Sequence, residues 1–386
     1  MTDDSRYIAY VHTGIWPSPS PSTVFVTGTA WGLSHHSPCL LIIRNGSPQS
    51  TGEVFRTLTG RDVPEHLTVS RTGFGKSLPG HARFYLGAFR TIRNLDRTKR
   101  IRAVITRSIG FLPYLTYLHA RYRIPCLFET HDFFGDLSAR NDLPRSLKNM
   151  KRSQFERRFL PRTSGIVCLT ESQRDLLMKR YPSVESVVAP TGLFSVERRP
   201  EPPEKLLCYI GSLEPHKGVG LILDALSRIV DRDVKLLVIG GKNEREKRSL
   251  IELAHLVGAA DRVRVTSWIH HSDIGHHIGR CIAGLVPLRD TPFNRHITSP
   301  LKILDCFSRC VPVIASDLPS VRFYVKDGTN GLLFQPDSAS SLAETIDRYF
   351  AANLFNGFAD NIRRDALQYL WTERGRIIND FIHNIS

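Results

Sequence analysis

Lys302 and Asp305 are the first pair in this chain whose types and spacing suggest chemistry. They stand three residues apart in 298–317, TSPLKILDCFSRCVPVIASD, and so share one helix face. Thr298 or Ser299 supplies a capping oxygen, Pro300 suits a first helical position, and Leu301, Leu304 and Phe307 form the apolar stripe. A helix that starts this way offers free N–H groups and the positive end of its dipole to an anion, and Lys302 adds a full charge. A carboxylate one turn on repels phosphate but accepts hydrogen bonds from hydroxyls, as a ribose beside a diphosphate would require. The same pattern is also an ordinary helix start with a solvated ion pair.

A second segment, 206–229, LLCYIGSLEPHKGVGLILDALSRI, places an apolar run before Gly211 and a periodic helix after it, with Val219, Ile222, Leu223, Leu226 and Ile229 on one stripe. Strand, glycine turn and helix form half of a βα unit, whose ligands gather at the carboxyl end of the strand. Lys217 stands at that edge. Gly218 and Gly220 lack the third glycine of a dinucleotide fingerprint.

These two blocks, YIGSLEPHKGVGLILDAL and SPLKILDCFSRCVPVIASDLPSVRFYVKDGTNGLLFQPDSASSLAETI, resemble the glycosyltransferases of family 4, also called glycosyl transferases group 1. The resemblance implies a GT-B fold, in which two Rossmann-like, doubly wound α/β domains face a central cleft. It implies donor contacts at Gly211, Ser212, Lys217, Gly240, Ile269, Thr298, Ser299, Leu301, Lys302 and Asp305. Lys217 and Lys302 match the phosphate ligands and Asp305 the ribose acid. His131, in Phe128-Glu-Thr-His-Asp, matches a histidine that approaches the donor sugar, with Glu129 and Asp132 placed to orient it; a lone histidine is also commonly structural. His131, Lys217, Lys302 and Asp305 are the expected catalytic set. The chain departs from the family at Ser212, where an arginine is usual, and at Ile297, where the first of two glutamates is expected. Those departures leave a second reading open, a catalytically silent nucleotide-sugar-binding scaffold.

The expected reaction moves a sugar from a nucleoside-diphosphate sugar to the hydroxyl of a glycan or lipid-linked acceptor. The expectation includes retention and no metal or other cofactor, in cell-surface polysaccharide or glycolipid assembly. Asp231-Arg-Asp233, the one DxD triplet, falls in a helix-to-strand turn away from the phosphate edge.

The surrounding elements follow from alternation. Apolar runs at 8–11, 40–43, 103–105, 126–128, 166–169 and 187–189 predict one parallel sheet over 1–195; runs at 206–210, 235–239, 263–266, 283–287 and 312–315 predict a second over 206–365. Residues 196–205 read as a linker, and the resemblance implies that 366–386 cross back to the first domain. Thr170 and Gln173 predict a capping box. The first strand runs into the proline-rich stretch 12–23, with Gly14, Ser20 and Ser22 as acceptor-side candidates and Ser22 or Thr23 as a helix cap; a plain surface connection fits as well.

Composition bounds the partners. Against 37 acidic residues stand 52 basic ones, a formal charge of +15, which favours anions. Part of the excess lies on Arg83, Arg90, Arg93, Arg97, Lys99, Arg100 and Arg102, around a helix whose apolar positions read as Tyr85, Phe89, Ile92 and Leu95. The rest of the local excess lies over 145–162, with Lys148, Lys151, Arg152, Arg157 and Arg158 beside Phe155 and Phe159. These faces fit an anionic membrane surface or plain solvation equally. No motif for nucleic acid accompanies them. Seven scattered cysteines read as reduced core residues, and the polar start MTDDSR predicts a cytoplasmic protein, peripheral at most on the inner membrane face.

Overall fold

The computed structural model describes residues 5–18, 20–72, 78–98, 100–136, 140, 142, 144, 146–198, 202–213, 217–241, 243–266, 269 and 271–385. Lys99 and Arg145 of the basic stretches, and 199–201 of the expected linker, lie outside them. The chain divides into two compact units: Met1–Gly192 with His296–Thr298 and Tyr369–Ser386, and Leu193–Arg295 with Ser299–Gln368.

The first unit is built on seven parallel strands: β1 (Tyr7–Trp16), β2 (Cys39–Asn45), β3 (Leu67–Thr72), β4 (Ile101–Thr106), β5 (Cys126–Glu129), β6 (Gly165–Cys168) and β7 (Ser186–Val188). Their spatial order is β3-β2-β1-β4-β5-β6-β7. Central strands read as continuous apolar runs, such as LLII at 40–43, because helices cover both faces of a parallel sheet. The order reverses between β1 and β4, the switch point at whose carboxyl ends open α/β sheets take their ligands. There β1 departs from regular pairing, its register on β2 shifting between His12 and Ile15. Residues 12–16 therefore continue the strand instead of opening the loop. The following helix, Pro21–Leu33, is capped by Ser20, whose side chain accepts from the Ser22 N–H, so neither Ser22 nor Thr23 is the cap.

The last helix, Trp371–Asn384, packs on that first helix. Trp371 lies 5.5 Å edge-on from Phe25, and a Cβ on Gly28 would run into its indole, so glycine permits the close crossing. In the basic helix Leu78–Asp96 the buried seam is Phe84, Ala88 and Ile92, with Tyr85 and Leu95 at its margins. Thr170 caps Glu171–Arg180 by accepting from the Gln173 N–H, but the Gln173 side chain reaches one residue further back, to the Leu169 N–H at 2.7 Å. The expected reciprocal box is thus displaced by one position.

The second unit repeats the plan with six parallel strands: β8 (Glu204–Ile210), β9 (Lys235–Ile239), β10 (Val263–Thr266), β11 (Cys281–Val286), β12 (Val313–Ser316) and β13 (Gly331–Phe334). The order β10-β9-β8-β11-β12-β13 puts its switch point between β8 and β11. The core holds the stripe Val219, Ile222, Leu223, Leu226 and Ile229. All seven cysteines are free and buried. Among the described residues, no helix is long and apolar enough to cross a membrane, and no group of three or more His, Cys, Asp or Glu is placed to hold a metal ion.

Candidate functional site

At the carboxyl end of β8, Gly211 takes φ +137°, a conformation that side chains disfavour. A Cβ there would point at Lys302 Nζ, 3.5 Å away. Gly211 donates its N–H to the Ile239 carbonyl at 2.9 Å, and a Cβ on Gly240 would collide with the Gly211 carbonyl. The ends of β8 and β9 therefore meet backbone to backbone. The Tyr209 hydroxyl donates to the Ser212 carbonyl at 2.7 Å, and Lys302 Nζ stands 4.3 Å from the centre of the Tyr209 ring. Lys217 precedes Gly218, which caps the helix Val219–Arg228 at φ +79° with its backbone against the Pro287 carbonyl. Ile269, half-buried, lies three residues beyond the end of β10.

Lys302 lies in the first turn of the helix Leu301–Phe307. Pro300, buried and extended, is the N-cap, and neither Thr298 nor Ser299 takes that role. Ser299 instead shares a 2.7 Å hydrogen bond with the Tyr324 hydroxyl. Seven residues sum to a small macrodipole, so the pull on an anion rests on ammonium groups more than on the helix end. Burial first, and the Lys217 charge second, push the Lys302 ammonium down to about 7; Asp305, half-buried one turn away, acts weakly in the opposite sense. Two lysines close enough to repel in this way form a cationic pair beside open glycine backbone, and a diphosphate would satisfy both. Ile297 is 1% exposed and turned into the core, leaving only backbone at the position of the expected first acid.

Asp231 and Asp233 precede β9 at its amino end, and Asp231 is paired with Lys205 at 2.7 Å. The triplet therefore stands opposite the edge that carries Gly211.

In the first unit the residue His131 follows β5 and is exposed. The surrounding protein mass first, and the charges of Arg107 and Arg152 after it, hold it neutral, well below the ordinary histidine range. Glu129 and Asp132 do not orient it. Glu129, 0% exposed, accepts from the Tyr10 hydroxyl and from Arg374, while Asp132 accepts from Arg140 and from the Phe133 N–H at 2.8 Å. Gly14 lies against the His12 ring, whose two nitrogens are buried without a hydrogen-bond partner. Ser20 and Ser22 bond each other at 2.8 Å at the helix start. Sequence reasoning passed over His12, Arg107 and Arg374, because a single arginine after a strand, or inside a terminal helix, carries no spacing that marks it as buried.

Two family models match the chain, one on each half: glycosyltransferase family 4 over residues 45–193 and glycosyl transferases group 1 over 204–352. A D-inositol 3-phosphate glycosyltransferase of Frankia alni is 24% identical over 216 residues, 50% of this chain and 52% of that protein. The chain thus spans about half the length of the curated relatives it matches. Among solved structures, sucrose-phosphate synthase from Thermosynechococcus elongatus superposes with a TM-score of 0.75 at 16% identity, covering 98% of this chain and 99% of that one. Anabaena HepE in complex with UDP and glucose gives 0.71 at 16% identity, with 98% and 100% covered. These likenesses show the fold, two parallel-sheet α/β domains of the GT-B type.

Proposed function

We propose, for a chain that belongs to the glycosyltransferases of family 4 and group 1, transfer of a sugar from a nucleoside-diphosphate sugar to an acceptor hydroxyl. The observation that carries this reading is the placement of Lys302 Nζ 3.5 Å from where a Cβ on Gly211 would stand, within reach of the Lys217 charge. As the sugar leaves, charge grows on the diphosphate, so cations already in place stabilise the transition state more than the ground state. Asp305, a turn below Lys302, is assigned to the ribose hydroxyls, and Gly240 and Ile269 to the base. The neutral His131 is assigned to the donor sugar, where it exchanges hydrogen bonds without adding a charge. We assign retention, with a donor phosphate oxygen taking the acceptor proton, and no metal requirement.

The complexes of HepE with UDP and with UDP-glucose support a uridine nucleotide as the first donor to try. The exposed side chains of Leu147, Met150 and Phe155 beside Lys148, Lys151, Arg157 and Arg158 support an acceptor at an anionic membrane surface, as in glycolipid or surface-polysaccharide assembly on the cytoplasmic face. Ile297 in the core favours one alternative, a scaffold that binds nucleotide sugar without turnover. Incubation with UDP-, GDP- and ADP-sugars and lipid-linked acceptors, followed by mass spectrometry, tests both. Acceptor-dependent release of nucleoside diphosphate supports transfer, whereas donor binding with no product from any acceptor supports the scaffold.

A further inference from the structure

The geometry points to an anion-binding site at the β1/β4 switch point, where Arg107 and His12 take a carboxylate or phosphate carried by the acceptor molecule. The inference rests on the transferase reading and extends it to the acceptor's chemistry.

Arg107 directly follows β4 and is 6% exposed. Its Nε and Nη1 are buried without a hydrogen-bond partner. The nearest acid, Glu129, stands 3.9 Å from Nε, too far for a hydrogen bond, because its two oxygens are engaged by Arg374 and the Tyr10 hydroxyl. Two guanidinium groups therefore share one carboxylate, and both stack on Phe25, at 4.4 Å for Arg107 and 4.9 Å for Arg374. Buried charges are ordinarily paired and hydrogen-bonded, and here one positive charge with two idle donors is left over.

The groups around it add donors without adding negative charge. His12, in β1 beside β4, has both ring nitrogens buried and unpartnered; burial and the Arg107 charge hold it neutral, at about 3, so it presents one N–H and one acceptor. Thr13 and Ser108 join the same two strand ends, with the Thr13 N–H donating to Ser108 Oγ at 3.2 Å and the two hydroxyls 3.1 Å apart. The irregular register after His12 turns this part of β1 out of the ladder, a device common beside ligand sites. A carboxylate or phosphate oxygen accepts from a single guanidinium N–H and from the His12 N–H, and its negative charge balances the buried cation. The donor's phosphates are already assigned to Lys217 and Lys302, which leaves the acceptor as the bearer of this second anion.

The test uses the whole chain saturated with UDP and titrated calorimetrically with inorganic phosphate and with malonate. The wild type is expected to bind at least one of them with UDP present. Arg107→Gln is expected to weaken that binding at least tenfold while UDP affinity changes less than twofold, and Lys302→Ala is expected to do the reverse. In transfer assays an anionic acceptor should outperform its neutral ester, and Arg107→Gln should remove the difference through KM. The proposal is overturned if the UDP-saturated wild type takes up neither anion, an arm that needs no variant to fold. It is equally overturned if UDP competes the anion away, if Arg107→Gln binds it unchanged, or if neutral and anionic acceptors perform alike. If no nucleotide binds or turns over, the transferase reading fails, while anion uptake that depends on Arg107 is measured separately.

Discussion

Arg374, in the last helix, donates to Glu129 at the carboxyl end of β5, and the two side chains are 1% and 0% exposed. The same guanidinium reaches Thr29 Oγ1 at 3.1 Å and the Pro190 carbonyl at 3.0 Å. One side chain 184 residues away in sequence from Pro190 thus ties the terminal helix to the edge of the first sheet that carries His131 and Arg107.

Removing one partner of such a pair leaves a buried charge uncompensated. Arg374→Met should therefore destabilise the first unit by roughly 3–5 kcal/mol, read from urea unfolding. Glu129→Gln should do the same, and it leaves two guanidinium groups facing each other. A loss below about 1 kcal/mol for both variants would mean that the pair is dispensable.

Lys302→Ala should lower turnover roughly 10²- to 10³-fold, the usual effect of losing one preorganised group that stabilises developing charge. Circular dichroism and thermal unfolding check that the variant is folded. Unchanged turnover in a folded variant would take Lys302 out of the phosphate site.

Lys302 also sets a pH dependence. Its ordinary value is 10.5 and the folded chain holds it at about 7, so between these values the unfolded chain binds more protons. The contribution of Lys302 to stability therefore rises with pH from about 7 towards 10.5, and its penalty is fully present below 7. A bound diphosphate favours the ammonium, so nucleotide binding should take up as much as about one proton and weaken as pH climbs above 7. Calorimetry in two buffers of different ionisation enthalpy measures the uptake. Zero uptake at pH 8 would contradict this account.

Gly218→Ala combines a left-handed backbone with a collision against the Pro287 carbonyl. The expected cost is about 1–3 kcal/mol, with a displaced Lys217 and weaker diphosphate binding. Equal thermal stability and equal UDP affinity would count against it.

Ile297→Glu would restore the family's acid in sequence but place it where the side chain is 1% exposed. It should lower stability by on the order of 3 kcal/mol and leave turnover no higher. A gain in turnover would show that the backbone there can turn the side chain out of the core.

Local periodicity made much of this fold legible. The apolar runs found most strands, because a strand covered by helices on both faces must be apolar throughout, and the stripe 219–229 announced its helix. Strand ends and caps were less readable. Ser22, Thr298 and Ser299 all have capping chemistry, yet Ser20 and Pro300 hold the positions, because chain direction at a helix entrance depends on the preceding strand. Likewise, Glu129 and Asp132 stand beside His131 in sequence but point to other partners.

By itself the sequence determined two α/β units and the lysine, glycine and acid types beside their strand ends, because hydrophobic period and turn chemistry are local properties. Tertiary structure alone decided that Lys217 acts on Lys302 across a separation of 85 positions, and that Glu129 bonds Arg374 and leaves two Arg107 donors without a hydrogen bond. Charge becomes consequential only where burial removes water, and burial is a property of the assembled fold.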